Sequence, residues 1–295
     1  MVLLFAKEGQ LANRLWQGAY FLANAMEHKY RLMHLGFAEY YIYFNENLHF
    51  HPNRKDKWKI FDFKGTSTCE RALIKYANLS KDNYERHNKH YPFVSELNFF
   101  DFLPGAQGYE LSQDAFLKNA NKNIFLVNGW QFIDDNSLKK HAVRIKEIFT
   151  PNKNFTANVD RLKANCYAIY DFMIGVHLRK GDYASFNEGR WLFTNADYVS
   201  FMRQVISLPC LAGLKVGFLL CSDEPIEWAN FSGLPVVGCS GNAVEDLYSL
   251  AFCDLIIGPV STFSSWASFY GGRPLLHIKD KNLKINRADF KIAVL

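Results

Sequence analysis

Two kinds of hydrophobic pattern alternate along the C-terminal half of the chain. Segments with apolar residues at helical spacing include Asn195 to Ser207 and Ala243 to Phe252. Between such segments lie short apolar runs typical of strands buried in a parallel sheet, namely Met173 to His177, Val216 to Cys221, Pro235 to Val237, Leu255 to Gly258 and Pro274 to Ile278. The alternation predicts a parallel sheet with helices on both faces.

The N-terminal half begins with a strand, a loop and a helix. The apolar run from Val2 to Ala6 predicts a short buried strand, and the polar segment from Lys7 to Asn13, which contains Gly9, predicts a loop. Apolar residues then recur at helical spacing from Arg14 to Tyr30. This order is that of one βα unit, so an α/β domain is expected here as well.

A cluster of breaker residues divides the chain near its middle. A strand pattern lies over Ile124 to Val127, and a helix pattern over Leu138 to Phe149 runs into the sequence T-P-N-K-N at residues 150–154. A chain of 295 residues is also longer than one hydrophobic core usually supports, because domains of about 150 residues are typical. We therefore predict two domains, residues 1–150 and residues 151–295.

The composition is that of a folded protein that does not bind nucleic acid. Hydrophobic residues make up 49% of the chain and aromatic residues 16%, which excludes general disorder. The 34 Lys and Arg residues against 29 Asp and Glu residues give a net charge of +5. This mild excess suits an anionic small ligand or an acidic membrane surface, but it is too small for a nucleic-acid-binding surface.

The cysteines and the hydrophobic runs predict a cytoplasmic location. The six cysteines are scattered without a C-x-x-C pair, and several lie in apolar runs, so we expect them to be reduced core residues. No apolar run reaches the roughly 18 residues that a membrane span needs. Any membrane contact is therefore expected to be peripheral, at the inner face.

The run H-L-R-K-G-D at residues 177–182 carries the clearest candidate chemistry. Side chains in a strand repeat every two residues, so His177 and Arg179 share a face at the strand's carboxyl end. Ligands of open α/β sheets bind beyond these ends, so Arg179 with Lys180 and Asp182 predicts a site for a polar, phosphorylated ligand. The alternative is structural, with Arg179 pairing with Asp182 only to hold the loop.

Two other predicted strands also end in polar residues. The sequence S-T-F at residues 261–263 looks like a turn that opens a helix, where backbone N–H groups and the hydroxyls of Ser261 and Thr262 could hold a diphosphate. An ordinary helix N-cap is the alternative. Asp223 could accept hydrogen bonds from a ribose or a guanine edge, or could itself cap a helix.

Several common signatures are missing from the sequence. The absence of G-x-G-x-x-G argues against a dinucleotide dehydrogenase, and the absence of G-x-x-x-x-G-K-[ST] argues against a P-loop nucleotidase. No Asp-x-Asp pair, the usual ligand of a metal-bound sugar nucleotide, occurs anywhere. These absences predict a metal-independent site in which Arg179, Lys180 and a helix N-terminus neutralise phosphate charge.

Taken together, the motifs resemble the fucosyltransferase superfamily that includes bacterial glycosyltransferase family 11, the α-1,2-fucosyltransferases. That family opens with a G-G-L-G-N-Q-like loop, which is similar to G-Q-L-A-N-R at residues 9–14, and carries H-x-R-R-x-D, which is similar to residues 177–182. A strand ending in S-D is matched by Ser222 and Asp223. The family's E-D-L-Y and S-T-F-S-W-W segments are similar to E-D-L-Y at 245–248 and S-T-F-S-S-W at 261–266.

The resemblance implies a GT-B fold, an α/β class in which two Rossmann-like domains face a cleft, with the N-terminal domain on the acceptor side. It implies a metal-independent, inverting transfer of fucose from GDP-fucose, without a cofactor, to a hydroxyl of an oligosaccharide or lipid-linked glycan, most simply in an α-1,2 linkage. Matched by motif, the donor-binding residues would be Asn13, Arg14, His177, Arg179, Lys180, Asp223, Ser261, Thr262 and Phe263.

The chain departs from the family pattern at three positions. Lys180 stands where a second Arg is usual, Ala12 replaces a Gly, and Ser265 replaces a Trp. A lysine keeps the charge but loses the planar, two-point hydrogen bonding of arginine. A transferase that uses another nucleotide sugar, or a nucleotide-sugar-binding protein without activity, would therefore fit the same motifs.

An inverting transfer is assisted by a base that takes the proton of the acceptor hydroxyl, or by the charge on the departing diphosphate. Glu188, nine residues after Arg179 in a loop with a glycine, is the candidate base and completes a catalytic set with Arg179 and Asp182. The alternative for Glu188 is a solvated loop carboxylate, and Glu8 is a weaker candidate base. Aromatic residues between Phe37 and Phe63 could stack on acceptor sugars, although most are expected in the core.

Overall fold

The structure is a computed structural model and describes residues 1–48, 58–60, 68–100, 107–239 and 242–294. The chain forms two compact units, Met1–Asn152 and Lys153–Leu295, called unit 1 and unit 2 below. The division falls inside the T-P-N-K-N cluster at residues 150–154.

Unit 1 is built on a five-stranded parallel sheet with the order β3-β2-β1-β6-β4. A separate pair, β5 and β7, forms a two-stranded sheet. The strands are Val2–Leu4 (β1), Leu32–His34 (β2), Trp58–Ile60 (β3), Val94–Phe100 (β4), Tyr109–Glu110 (β5), Ile124–Trp130 (β6) and Phe132–Ile133 (β7). The helices are Leu11–His28 (α1), Tyr41–Leu48 (α2), Thr68–His87 (α3), Asp114–Lys122 (α4) and Asp135–Ile148 (α5).

One expectation for unit 1 needs correction. Helix α1 begins at Leu11, with Gln10 at its N-cap, so the predicted loop from Lys7 to Asn13 is three residues too long and Asn13 lies in the first helical turn. The aromatic segment supplies the core where it is described, since Phe37 and Phe44 are fully buried. Acceptor stacking by the rest of that segment falls largely outside the described residues, because residues 49–57 and 61–67 are not among them.

Unit 2 contains every strand that the hydrophobic pattern predicts, with ends shifted by at most one residue. Its strands are Phe172–Leu178 (β8), Val216–Ser222 (β9), Val236–Gly238 (β10), Leu255–Pro259 (β11) and Leu275–Ile278 (β12). Its helices are Lys153–Tyr167 (α6), Asn195–Ile206 (α7), Ala243–Phe252 (α8) and Thr262–Gly271 (α9). Helix α6 begins at Lys153, so the last two residues of the predicted linker are helical.

The sheet of unit 2 has helices on both faces, as the alternation of patterns predicts. Ile174 and Val176 belong to a buried cluster that includes Tyr198 and Phe201 of α7. Gly175 points to the opposite face, where an added Cβ would lie 2.8 Å from Leu250 of α8. The predicted α/β class, with parallel sheets in two Rossmann-like units, is therefore confirmed.

The strand order of unit 2 decides where a ligand can bind. The parallel order β10-β9-β8-β11-β12 runs outward in both directions from the first strand, β8. Chain connections leave β8 to one side and β11 to the other, which opens a crevice beyond the carboxyl ends of these two strands. The H-L-R-K-G-D motif spans the end of β8 and the loop after it, and the S-T-F motif follows β11.

One pair of cysteines contradicts the expectation of reduced thiols. Cys221, in β9, forms a disulfide with Cys239, just after β10, and their Cα atoms are 5.4 Å apart. Cys166, Cys210 and Cys253 are free thiols. The distance of 18 residues along the chain hides this pairing from a search for C-x-x-C motifs.

Candidate functional site

The two loops beyond β8 and β11 are in direct contact. The His177 ring stacks on the Phe263 ring, with centroids 4.9 Å apart and an interplanar angle of 29°. The Tyr183 hydroxyl donates a hydrogen bond of 2.6 Å to the Val260 carbonyl oxygen. The fold thus brings together the two motifs that the sequence placed at separate strand ends.

Arg179 is held by two carboxylates at this crevice. Its Nη2 lies 2.8 Å from Asp182 Oδ1 and its Nη1 lies 3.1 Å from Asp223 Oδ2, while 17% of the side chain is exposed. The ion pair with Asp182 that the structural alternative predicts is therefore present, but it does not occupy all of the N–H donors of the guanidinium. Each terminal nitrogen carries a second hydrogen, so Arg179 keeps donors for a further anion.

Asp223 shapes the turn that follows Arg179. Its Oδ1 accepts a 2.9 Å hydrogen bond from the Lys180 backbone N–H. A Cβ added to Gly181 would lie 2.8 Å from Asp223 Oδ2, so the glycine leaves room for this carboxylate. Asp223 caps no helix, since the next element is a short 3₁₀ turn at Trp228–Phe231 whose N-cap is Glu227.

Helix α9 begins at the crevice as the S-T-F motif predicts. Ser261 is its N-cap, and its Oγ accepts a 3.2 Å hydrogen bond from the Phe263 N–H. The ordinary N-cap interpretation is therefore correct for Ser261. The same geometry keeps the positive end of the helix dipole at the crevice, which favours an anion there.

Two histidines beside this helix start are neutral. His177 is only 3% exposed, and burial lowers its pKa to about 3, an effect to which the neighbouring charge of Arg179 adds. Burial likewise lowers the pKa of His277 to about 4, and its Nε2 lies 3.3 Å from Ser265 Oγ. His177 Nδ1 is buried without a hydrogen-bond partner among the described residues.

Glu188 lies in a left-handed turn of the same loop. Asn187, Glu188 and Gly189 have φ angles of 49°, 56° and 72°. The left-handed region is unfavourable for residues with a Cβ, by about 1–2 kcal/mol each. Glu188 is exposed, and its carboxylate forms no hydrogen bond or ion pair with a described residue. Nothing local to the turn therefore engages this carboxylate.

The candidate residues of unit 1 are engaged within that unit. A Cβ added to Gly9, whose φ is +68°, would lie 1.6 Å from Asn13 Nδ2, so only glycine fits under this amide. Arg14 is 5% exposed and donates from Nη1 and Nη2 to the carbonyl oxygens of Gly36 and Lys7. Glu8 Oε2 accepts a 2.9 Å hydrogen bond from the Lys7 N–H. Arg14 therefore differs from the expected open donor at a helix start.

Two residues at the crevice were missed from the sequence. Tyr183 directly follows the H-L-R-K-G-D motif, and the Arg179 guanidinium carbon lies 5.5 Å from its ring centroid. Its hydroxyl could have been considered as a hydrogen-bond donor at a strand end. His277 lies in β12 and carries no motif, so only the sheet order reveals that it approaches α9.

Among the residues that the structure describes, no group of three or more His, Cys, Asp or Glu side chains is arranged to hold a metal ion.

The comparisons with known proteins identify a family and a fold. The family model described as Glycosyl transferase family 11 matches residues 105–291. A search of curated proteins found no match.

Solved structures similar to this chain include Arabidopsis thaliana FUT1, the fucosyltransferase NodZ from Bradyrhizobium and POFUT1. A mutant of Arabidopsis thaliana FUT1 in complex with GDP is 13% identical over 95% of this chain and 71% of that chain, with a TM-score of 0.55. NodZ from Bradyrhizobium is 13% identical over 94% of both chains, with a TM-score of 0.54. POFUT1 in complex with GDP-fucose is 14% identical over 92% of this chain and 95% of that chain, with a TM-score of 0.58. At such low identities the likeness shows the fold alone.

Proposed function

The chain belongs to glycosyl transferase family 11, and from this premise we propose that it transfers fucose from GDP-fucose to a hydroxyl of a glycan acceptor. The observation that carries the proposal is the contact between the Arg179 loop and the start of α9 at the crevice of unit 2. Two proteins of similar fold, NodZ and POFUT1, have been solved with GDP-fucose, which supports this donor.

We propose that the crevice of unit 2 holds the donor's diphosphate. Arg179 would donate from its remaining N–H groups, and Lys180 would add a second positive charge. Ser261 and Thr262 open α9, whose first-turn amides would bind the phosphate oxygens. Because Asp223 fixes both the Arg179 guanidinium and the Lys180 amide, it would position the diphosphate-binding groups.

The neighbouring aromatic pair suits the nucleoside part of the donor. Phe263 is partly exposed and stacks on the buried, neutral His177 ring. Because His177 carries no charge near neutral pH, we assign it a role in shaping the site rather than in neutralising phosphate.

In the proposed reaction the acceptor hydroxyl oxygen attacks C1 of fucose on the face opposite to the diphosphate. The bond between C1 and the phosphate oxygen breaks, its electron pair leaves with GDP, and the configuration at C1 inverts. Glu188 would take the hydroxyl proton, and Arg179 and α9 would stabilise the charge that develops on GDP. If Glu188 is not the base, the departing diphosphate or Glu8 would take this proton.

Linkage, acceptor and location are the finer parts of the proposal. An α-1,2 linkage to an oligosaccharide or lipid-linked glycan, metal independence, an acceptor-side role for unit 1 and donor contact by Asn13 follow from the motif resemblance. A cytoplasmic location, with peripheral contact at the inner membrane face, also stays a prediction. None of the helices in the described ranges is long and apolar enough to cross a bilayer.

A thermal-shift series tests the donor. We expect GDP to raise the melting temperature, GDP-fucose to raise it more than GDP-mannose, and EDTA to leave both shifts unchanged, because a ligand that binds only the folded state stabilises it. A preference for UDP or CDP would indicate another nucleotide sugar, and loss of the shift in EDTA would contradict metal independence. A shift with GDP-fucose but no release of GDP with any glycan acceptor would indicate a binding protein.

A further inference from the structure

An aromatic ladder leads away from Arg179 along the loop that follows β8. The Arg179 guanidinium lies 5.5 Å from the Tyr183 ring centroid, Tyr183 lies 5.4 Å from Phe186, and Phe186 lies 6.0 Å from Trp191. These contacts form a continuous row of rings. The loop therefore extends the proposed donor site with an aromatic surface.

The ladder is anchored at both ends and open in the middle. Tyr183 is buried and bonded to the Val260 carbonyl oxygen, and Trp191 packs partly buried against the core cluster of unit 2. Phe186 between them is 51% exposed. An exposed aromatic ring held by fixed neighbours is preorganised, so binding to it requires little loss of conformational freedom.

The left-handed turn lies between Phe186 and Trp191 along the chain. Phe186 and Trp191 touch each other, so the segment 187–190 between them is closed into a short loop. Asn187, Glu188 and Gly189 all have positive φ, a backbone conformation that is unfavourable for the first two. Such local strain is retained where the surrounding structure enforces it, often at binding sites. Here the strained residues include Glu188, whose exposed carboxylate follows the exposed Phe186 ring by two residues along the chain.

A pyranose ring has the complementary chemistry. One of its faces is lined with C–H groups and packs on an aromatic ring, while its hydroxyls form hydrogen bonds with carboxylates and amides. The ladder offers both kinds of partner within one loop, and it is continuous with the proposed donor site at Arg179. These features favour a sugar over a purely apolar partner.

We propose that Phe186 and Trp191 form a stacking surface for a pyranose ring of the acceptor, with Glu188 beside its hydroxyls. The inference rests on the proposed function, since it names the acceptor's contact at the same site. The proposal also assigns part of acceptor binding to unit 2, in addition to the acceptor-side role predicted for unit 1.

Saturation-transfer difference NMR tests the surface without requiring turnover. The full chain would be saturated with GDP and mixed in turn with the methyl pyranosides of galactose, glucose, mannose and N-acetylglucosamine. We expect at least one of them to receive saturation at its ring C–H protons. In Phe186→Leu we expect its affinity to fall about tenfold, which corresponds to about 1.4 kcal/mol.

Two further variants make the test specific. Phe186→Tyr keeps the ring and should keep most of the affinity, whereas Trp228→Leu, which removes a 49% exposed ring elsewhere in unit 2, should leave it unchanged. Equal sugar binding by wild type and Phe186→Leu, or binding of none of the pyranosides to wild type, would overturn the inference. A failure of the proposed function has a different signature, because GDP would then give no thermal shift in any variant.

Discussion

In both units the first strand of the parallel sheet has later strands on either side, so the strand order changes direction next to it. The units differ in what holds the arginine near that point, which is Arg14 in unit 1 and Arg179 in unit 2. In unit 1, Arg14 is buried and its terminal nitrogens donate to the backbone carbonyls of Lys7 and Gly36. In unit 2, Arg179 is partly exposed and paired with the side chains of Asp182 and Asp223. The same residue type therefore stabilises the fold in one unit and remains available to a ligand in the other.

The kind of partner explains this difference. The carbonyl oxygens bonded to Arg14 belong to two chain segments, so losing the arginine would leave one buried and one partly buried acceptor without its donor. The carboxylates beside Arg179 can be solvated, and Asp182 is 58% exposed. An anion that binds Arg179 shares its charge without disrupting the backbone. An arginine near a strand end thus indicates a ligand site when its guanidinium reaches solvent at the crevice, as that of Arg179 does, rather than when it is buried against the main chain, as that of Arg14 is.

The largest effect is expected for Arg179→Ala. The variant would lose the group proposed to neutralise the departing diphosphate, which corresponds to about 3 kcal/mol or more in the barrier, or more than a hundredfold in kcat/KM. The melting temperature should stay close to wild type because the side chain lies at the crevice. Arg203→Ala, at an exposed position of α7, is the matched control and should be fully active.

Two outcomes would remove the contrast between the units. Near-normal turnover by Arg179→Ala would exclude Arg179 from the site. A parallel loss of melting temperature and activity would show that Arg179 is structural, as Arg14 is.

The next largest effect is expected for Glu188→Gln, in the left-handed turn of unit 2. If Glu188 is the base, Glu188→Gln should bind GDP-fucose as wild type does and turn over roughly a hundredfold or more slowly. Single-turnover rates at saturating donor separate the chemical step from binding and product release. Asp160→Asn, at an exposed position of α6, controls for loss of a surface carboxylate. Rates within a few-fold of wild type would leave the diphosphate or Glu8 as the acceptor of the proton.

Arg14→Met tests whether the buried arginine of unit 1 stabilises the fold. The variant leaves two carbonyl oxygens without their donor, so we expect the free energy of unfolding to fall by about 2 kcal/mol. Urea denaturation measures this change, while Arg144→Met, which removes a surface ion pair with Glu147, should change stability by less than about 0.5 kcal/mol. Unchanged stability with impaired transfer would instead support the donor-binding role that the motif resemblance gives to Arg14.

Counted per pH unit and per histidine, the smallest effect is a pH dependence common to both units. Burial lowers the pKa of His34 in unit 1 to about 3 and that of His277 in unit 2 to about 4, from an ordinary value of 6.5. Below pH 6.5 these histidines bind protons in the unfolded chain but stay neutral in the folded chain. The free energy of unfolding is therefore greatest above pH 6.5 and decreases as the pH falls towards 4. The slope reaches about 1.4 kcal/mol per pH unit for each histidine.

Unfolding measured between pH 7 and pH 4 tests this slope. His34→Asn and His277→Asn should each show a shallower decrease than wild type, whatever their stability at neutral pH. If either variant keeps the full slope, that histidine is protonated in the folded protein and its environment is more polar than its burial indicates.

Much of unit 2 was predictable because its information is local. Each strand is a largely apolar run, and each motif lies at or just after the end of a strand, so the alternation of β and α placed both the sheet and the polar residues at its carboxyl edge. The start of α9 was predictable for the same reason, since Ser261 and the following turn lie within a few residues of each other. Unit 1 was harder, because β1, β2 and β3 are each three residues long and leave little periodicity to detect.

The sequence by itself established the family, the α/β class and which residue types stand at the strand ends of unit 2. Only the tertiary structure decided which of them meet. Asp223 forms an ion pair with Arg179 across 44 residues of chain, Cys221 pairs with Cys239, and Arg14 donates to the carbonyl oxygens of Lys7 and Gly36. Hydrophobic periodicity reports which face of an element is buried, whereas partners distant in the sequence depend on strand order and backbone direction, which no local pattern encodes.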